Sequence, residues 1–112
     1  MIKVLKFGGT SVGSAANMKK VAEIVRREQA RITVLSAMSG TTDSLVRISR
    51  AAASGDRNAI EEQLAMLTDK YTRCIEELLR ERKQQALARM NATFGLIRDE
   101  AAAFAEYESE RK

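Results

Sequence analysis

The feature that most constrains the fold of this chain is the way its first apolar run breaks into a glycine-rich loop. Ile2, Val4, Leu5 and Phe7 predict a buried β-strand. The sequence GGTSVG follows at residues 8–13, and its glycines let the backbone turn tightly and come close to a ligand. Helical periodicity begins directly afterwards, so these residues predict the strand, loop and helix that open an α/β fold.

The chemistry of this first corner indicates an anion site. Thr10, Ser11 and Ser14 supply hydroxyls where the helix should begin. The free N–H groups and the dipole of a helix N-terminus attract negative charge to the same place as the Lys6 ammonium, and a nucleotide phosphate fits them. The loop matches neither the Walker A pattern nor the Gly-x-Gly-x-x-Gly pattern. The alternative is an ordinary strand-to-helix turn with Lys6 as a solvated strand end.

A second corner of the same kind follows one helix later. Residues 32–35 (ITVL) form a β-branched run of strand length, and residues 36–45 continue with small and hydroxyl side chains into another helical pattern. Thr41 or Thr42 could serve as the N-cap of that helix. We expect ligand contact here as well, because ligands bind at the carboxyl ends of strands in open α/β sheets.

The first half of the chain is predicted to be a βαβα segment over residues 1–55. Four apolar residues between the strands recur at the spacing of one helical face. They are Met18, Val21, Ala22 and Val25. A helix between two strands predicts a parallel pair with a right-handed crossover, and a further helix is predicted over residues 42–53.

The second half, residues 56–112, predicts an antiparallel helical hairpin. Asp56 is a suitable N-cap for its first helix. Two apolar seams have the heptad spacing of packed helices. The first comprises Ile60, Leu64, Leu67, Tyr71, Cys74 and Leu78, and the second comprises Leu87, Met90, Phe94, Ile97, Ala101 and Phe104. The polar residues 81–85 predict the break between the helices, and core packing is favoured over partner binding.

Composition excludes several functions. The chain has no His and one Cys, so a zinc site or a His-activated nucleophile is excluded, and Cys74 is predicted to be a core thiol. The first fifty residues carry nine Lys or Arg against three Asp or Glu, yet the few aromatic residues argue against nucleic-acid binding. No leader or membrane-length apolar run occurs, so we expect a soluble cytoplasmic protein without a membrane partner.

The two corners resemble the opening of the aspartokinases, which belong to the amino-acid kinase family. The string KFGGTSV at residues 6–12 carries the resemblance, and VLSA at residues 34–37 with its hydroxyl-rich loop supports it. The resemblance implies the start of a three-layer αβα fold like that of carbamate kinase, with two parallel strands and about four helices. It also implies that residues 1–112 are the N-terminal part of the catalytic domain. The remainder of that domain and the regulatory domains would lie outside this sequence.

The resemblance implies an activity as well. ATP, accompanied by Mg²⁺, would phosphorylate the side-chain carboxylate of L-aspartate in the first step of lysine, threonine and methionine biosynthesis. The full-length enzyme would be a homo-oligomer, and the fragment alone would be inactive. Lys6 would be the catalytic cation, Ser36 and Thr42 would contact aspartate, and no residue here would hold a metal. The implied contacts to the ATP phosphates are Lys6, Phe7, Gly8, Gly9, Thr10 and Ser11.

Three interpretations stay open from the sequence. The parent is an aspartokinase, with or without a fused homoserine dehydrogenase. Alternatively, it is another amino-acid kinase that acts on glutamate, carbamate or a nucleoside monophosphate. The third interpretation is a non-enzymatic helical interaction module in which the glycine corner is incidental.

Overall fold

The computed structural model describes residues 2–111, which fold into two strands and four helices. The elements are β1 (Val4–Phe7), α1 (Ala15–Glu28), β2 (Ile32–Leu35), α2 (Thr41–Ser54), α3 (Arg57–Leu78) and α4 (Lys83–Arg111). The predicted α/β class with a helix-rich second half is confirmed. Internal contacts divide the chain into two compact units, Met1–Thr41 and Thr42–Lys112, and each unit is described separately.

In the first unit, β1 and β2 form a parallel pair, as the βαβ pattern predicts. Val4 lies opposite Ile32 in the register of the pair. Beyond the strands, the Ser36 N–H donates to the Phe7 carbonyl at 3.0 Å, so the pairing continues into the loop after β2. The intervening helix α1 buries Val21 and half-buries Met18 and Val25, as predicted, but the assignment of Ala22 to the apolar face is wrong because that residue is exposed.

The prediction that the first strand is buried is wrong. β1 begins at Val4, so Ile2 lies outside it, and these two residues are 58% and 63% exposed. Ile32 and Val34 of β2 are 51% and 46% exposed. A parallel strand is buried only where both faces of its sheet are covered. Within this unit α1 covers Phe7, whereas Leu35 on the same face is 57% exposed and the opposite face keeps its apolar side chains exposed.

Local hydrogen bonds fix both ends of α1. Ser14 is the N-cap, and its hydroxyl accepts from the Asn17 N–H at 3.1 Å. At the other end Gln29 adopts a left-handed φ of 50°, and its N–H closes the last turn. Lys3 pairs with Glu28 at 2.9 Å, which joins the approach to β1 to the end of α1. The glycine loop is therefore held between a paired strand and a capped helix.

In the second unit, α3 and α4 form the predicted antiparallel hairpin. Glu61, early in α3, pairs with Arg98 of α4 at 3.3 Å. Further along α3, the Tyr71 ring meets the Phe94 ring edge to face, with centroids 5.4 Å apart. In these two contacts the residue number increases along α3 and decreases along α4, so the two helices run in opposite directions. The chain reverses at residues 79–82, and α4 begins one residue later, inside the predicted break.

The core of the second unit contains most of both predicted seams. Its buried members are Ile48, Ala51, Ala52, Ile60, Leu64, Leu67, Met90, Phe94 and Ala105. The assignment of Phe104 to the seam is wrong, because its side chain is 48% exposed while Ala105 is fully buried. Eleven residues complete about three helical turns, so Ala105 shares the face of Phe94 and Phe104 does not.

The structure gives α2 bounds close to the prediction but groups it with the hairpin. α2 is followed by Gly55 with a left-handed φ of 75°, and Asp56 then caps α3, as predicted. α2 supplies three residues to the helical core, namely Ile48, Ala51 and Ala52. The sequence had placed this helix in the segment of residues 1–55, whereas its core contacts are those of the second unit.

Candidate phosphate-binding site

The first half of the glycine loop, residues 8–13, commits its carbonyl groups to bonds within the first unit. Three consecutive carbonyls each accept a backbone N–H. The pairs are Val12 N–H to Gly8 at 3.3 Å, Ser39 N–H to Gly9 at 3.2 Å and Gly13 N–H to Thr10 at 3.2 Å. The loop therefore offers few acceptors to a ligand.

The N–H groups at the centre of the same loop are free. The N–H groups of Gly9, Thr10 and Ser11 donate to no acceptor among residues 2–111. Consecutive unpaired N–H groups in a turn form a cradle for anions. With the neighbouring acceptors already occupied, this loop is a donor surface suited to a phosphate.

Asn17 also occupies a carbonyl of the loop and leaves the N–H groups free. Its side-chain amide donates to the Thr10 carbonyl at 3.0 Å, so that carbonyl receives two hydrogen bonds. The backbone N–H of Asn17 is bound by the Ser14 cap. The first turn of α1 is thereby attached to the loop.

Lys6 supplies an uncommitted cation beside the loop. It is exposed and lies opposite Val34 in the strand pair. Within the described residues 2–111 its ammonium has no ion pair or hydrogen bond. Side chains alternate along a strand, so Lys6 is on the face of β1 opposite to Phe7.

A cavity of about 280 Å³ lies on the Phe7 side of β1. Its lining residues are Phe7, Thr10, Ser11, Asn17, Lys20, Val21 and Ile24. Three of the predicted phosphate contacts, Phe7, Thr10 and Ser11, are thus brought together. Lys6 is not among the lining residues, so the structure does not gather the whole predicted set on one face.

The three glycines of the loop differ in their surroundings. A Cβ at Gly8 would meet nothing within 4 Å, whereas one at Gly9 would lie 3.1 Å from the Ala37 carbonyl oxygen. A Cβ at Gly13 would lie 2.9 Å from the Ser39 Oγ. A turn spans residues 9–12, as the glycines predict, and no left-handed φ occurs at any of the three. Gly9 and Gly13 also make room for the loop after β2.

The two predicted aspartate contacts lie in different units. Ser36 follows β2 directly and is exposed. Thr42 is exposed in the first turn of α2, in the second unit. Because α2 begins at Thr41, Thr42 is its second residue rather than its N-cap.

Two residues that shape the site were missed in the sequence. Asn17 is the third residue after the N-cap Ser14, but it donates to the Thr10 carbonyl and does not accept from the Ser14 N–H as a capping-box side chain does, so no local pattern indicated it. Ser39 had no local signal, because its partner Gly9 belongs to the other strand-to-helix corner.

The remaining chemistry of the described residues is limited. Burial and the nearby Glu77 raise the pKa of the Cys74 thiol, so this thiol stays protonated and weakly nucleophilic. Among residues 2–111, no three His, Cys, Asp or Glu side chains come together as metal ligands, and the glycine loop carries no carboxylate. These donors do not fit a protein-held Mg²⁺. Over the same residues no helix has the length and apolarity of a membrane span.

Comparison with known proteins shows the family of the chain. The model of the amino acid kinase family matches residues 1–111, and the chain belongs to this family. It is 42% identical over 79 residues to "Aspartokinase 1, chloroplastic" of Arabidopsis thaliana, covering 67% of this chain and 14% of that protein.

Two further relatives match a similar share of the chain. Identity is 39% over 75 residues to "Aspartokinase" of Chlamydia muridarum, covering 67% of this chain and 16% of that protein. Identity is 35% over 81 residues to "Bifunctional aspartokinase/homoserine dehydrogenase 2, chloroplastic" of Arabidopsis thaliana, covering 70% of this chain and 9% of that protein. The predicted resemblance to aspartokinases is confirmed, and the chain spans between 9% and 16% of the length of these relatives.

Proposed function

We propose that this chain forms the N-terminal part of an aspartate kinase, which transfers the γ-phosphoryl group of ATP to the side-chain carboxylate of L-aspartate. The observation that carries the proposal is the glycine loop, in which the carbonyls of residues 8–10 are occupied and the N–H groups of residues 9–11 are free. The kinship with aspartokinases supports the choice of acceptor.

The reaction suits a site without histidine. A carboxylate oxygen of aspartate attacks the γ-phosphorus, the bond from that phosphorus to the β–γ bridging oxygen breaks, and ADP leaves with the electron pair. The nucleophile is already an anion at neutral pH, so no general base is required. The demand is instead for positive charge and oriented N–H donors around the transferring group.

Different residues of this chain bind the phosphates and neutralise their charge. The N–H groups of Gly9, Thr10 and Ser11 hold phosphate oxygens, with Gly8 and Phe7 completing the ATP-binding segment. Lys6 neutralises phosphate charge as the group transfers. The exposed and unpaired state of Lys6 supports this role, since no partner among residues 2–111 competes for its ammonium.

The proposal also covers the aspartate contacts, the source of Mg²⁺, and the oligomeric state, cellular location and pathway of the enzyme. Ser36 and Thr42 contact aspartate, with Thr42 the stronger candidate. Mg²⁺ arrives with ATP, and no residue described here is assigned to it. The enzyme is a cytoplasmic homo-oligomer that makes 4-phospho-L-aspartate for lysine, threonine and methionine biosynthesis.

Trapping with hydroxylamine tests the reaction. Acyl phosphates react with hydroxylamine to give hydroxamates, which are measured by colour with ferric iron. The complete enzyme that contains this chain is incubated with ATP and Mg²⁺, and with aspartate, glutamate or carbamate as acceptor. We expect hydroxamate with aspartate and background levels with glutamate. The reaction with carbamate is monitored by ADP release, which should also stay at background. ADP release with glutamate or carbamate, and none with aspartate, contradicts the proposal.

A further inference from the structure

We infer that Ser39 is a positioning residue that holds the loop after β2, residues 36–40, against the glycine loop. A change that displaces one of the two loops then displaces the other as well. The inference rests on the proposed function, in which the glycine loop binds ATP and the loop after β2 begins with the aspartate contact Ser36. It goes further in making the nucleotide and amino-acid sites mechanically dependent on each other.

One hydrogen bond joins the two loops directly, and another joins the loop after β2 to the last residue of β1. The Ser36 N–H donates to the Phe7 carbonyl at 3.0 Å, and the Ser39 N–H donates to the Gly9 carbonyl at 3.2 Å. The second bond is made to the carbonyl of a residue whose own N–H is free. Ser39 therefore orients the peptide beside the first donor of the anion cradle.

Close backbone contact explains two of the loop glycines. At Gly9 an added Cβ would lie 3.1 Å from the Ala37 carbonyl oxygen and 3.4 Å from the Ser39 nitrogen. At Gly13 it would lie 2.9 Å from the Ser39 Oγ and 3.0 Å from the Gly9 carbonyl oxygen. These contacts are shorter than ordinary van der Waals separations. A methyl group at Gly9 therefore pushes against the backbone of the loop after β2, whereas one at Gly13 displaces the Ser39 hydroxyl and crowds the Gly9 carbonyl of its own loop.

Gly8 is the natural reference for these positions. It belongs to the same loop, and a Cβ there would meet nothing within 4 Å. An alanine at Gly8 narrows the approach of phosphate but leaves the contact between the loops intact. Alanines at Gly8 and Gly9 thus separate loss of phosphate binding from loss of the loop contact.

Steady-state kinetics of the complete enzyme test the dependence. We expect Gly9→Ala to raise the KM values for ATP and for aspartate together, each by about tenfold. Gly8→Ala is expected to raise the KM for ATP alone. An increase confined to ATP in Gly9→Ala, or no increase in either KM, would overturn the inference.

A double-mutant cycle tests the contact itself without relying on catalysis. Gly13→Ala should lower the melting temperature of the 112-residue chain by roughly 4–8 °C. Adding Ser39→Ala removes the Oγ at 2.9 Å and should restore part of that loss, although the Gly9 carbonyl remains close. Additive losses contradict the contact. Wild-type enzyme that makes no hydroxamate from aspartate contradicts the proposed function, and the cycle still decides whether Ser39 holds the loops together.

Discussion

The Asn17 side-chain amide donates to the Thr10 carbonyl at 3.0 Å, so the first turn of α1 holds the middle of the glycine loop. The same carbonyl accepts the Gly13 N–H at 3.2 Å. Both bonds fix the Thr10–Ser11 peptide, whose own N–H group, that of Ser11, is free. A helix side chain thus determines which polar groups of the loop a phosphate meets.

Replacing Asn17 by alanine removes this donor. A neutral hydrogen bond contributes about 0.5–1.5 kcal/mol, so we expect the KM for ATP to rise by roughly two- to tenfold while the KM for aspartate changes less. Steady-state kinetics of the complete enzyme measure both values. Asn91→Ala on the exposed surface of α4 is the control. An unchanged KM for ATP in Asn17→Ala would show that the loop keeps its orientation without this bond.

The sequence predicted the helical elements better than the contacts between distant residues. Heptad spacing places Leu64 and Phe94 in the core because it depends only on residues within one helix. The exposure of Val4 and Ile32 could not be predicted in this way, since strand burial depends on what covers each face of the sheet.

The same limit applies to the candidate site. The string at residues 6–12 marked the loop, but the reason for glycine at 9 and 13 lies in the second corner, where Ala37 and Ser39 approach it. Such contacts join residues that are far apart in the sequence. No local pattern distinguishes Gly9 from Gly8, although their surroundings differ.

Leu64 provides the test of the helical core. It is fully buried in α3, so Leu64→Ala should lower the free energy of unfolding by about 2–5 kcal/mol. Urea denaturation of the 112-residue chain measures the loss. Met66→Ala, two residues along and 59% exposed, should change it by no more than about 0.5 kcal/mol. Equal losses in the two variants would place the core on another face of α3.

The Lys3–Glu28 pair gives the first unit a pH dependence. The hydrogen bond from Lys3, followed by its charge, lowers the pKa of Glu28 below the ordinary value of 4.5. The folded state therefore favours the ionised carboxylate. Its contribution to stability is complete above the unfolded pKa and is lost as the pH falls through the lower folded pKa.

Lys3→Met tests this dependence. Between about pH 5 and about pH 3, the melting temperature of the variant should fall less than that of the wild type. The two largest causes of the lowered pKa of Glu28, the hydrogen bond and the charge of Lys3, are removed, while Arg27 remains. Lys19→Met, which removes an exposed charge of α1, should keep the wild-type slope. A wild-type slope in Lys3→Met would show that the ion pair is not maintained in solution.

Thr42→Val tests the assignment of an aspartate contact. Valine keeps the shape of the side chain and removes the hydroxyl, so the KM for aspartate should rise at least about tenfold more than the KM for ATP. Thr42 is exposed within the first turn of α2, so the melting temperature should change little. Equal KM effects with a lowered melting temperature would assign Thr42 to helix stability instead.

The rate of aspartate phosphorylation by Lys6→Ala tests the central claim most directly. The Lys6 side chain is exposed and unpaired among residues 2–111, so its loss should leave the melting temperature close to that of the wild type. If the first corner binds the phosphates of ATP, loss of this cation should lower kcat/KM by about a hundredfold or more. Lys19→Ala on α1 is the matched control and should retain the wild-type rate. A folded Lys6→Ala enzyme that phosphorylates aspartate at near wild-type speed would contradict the account.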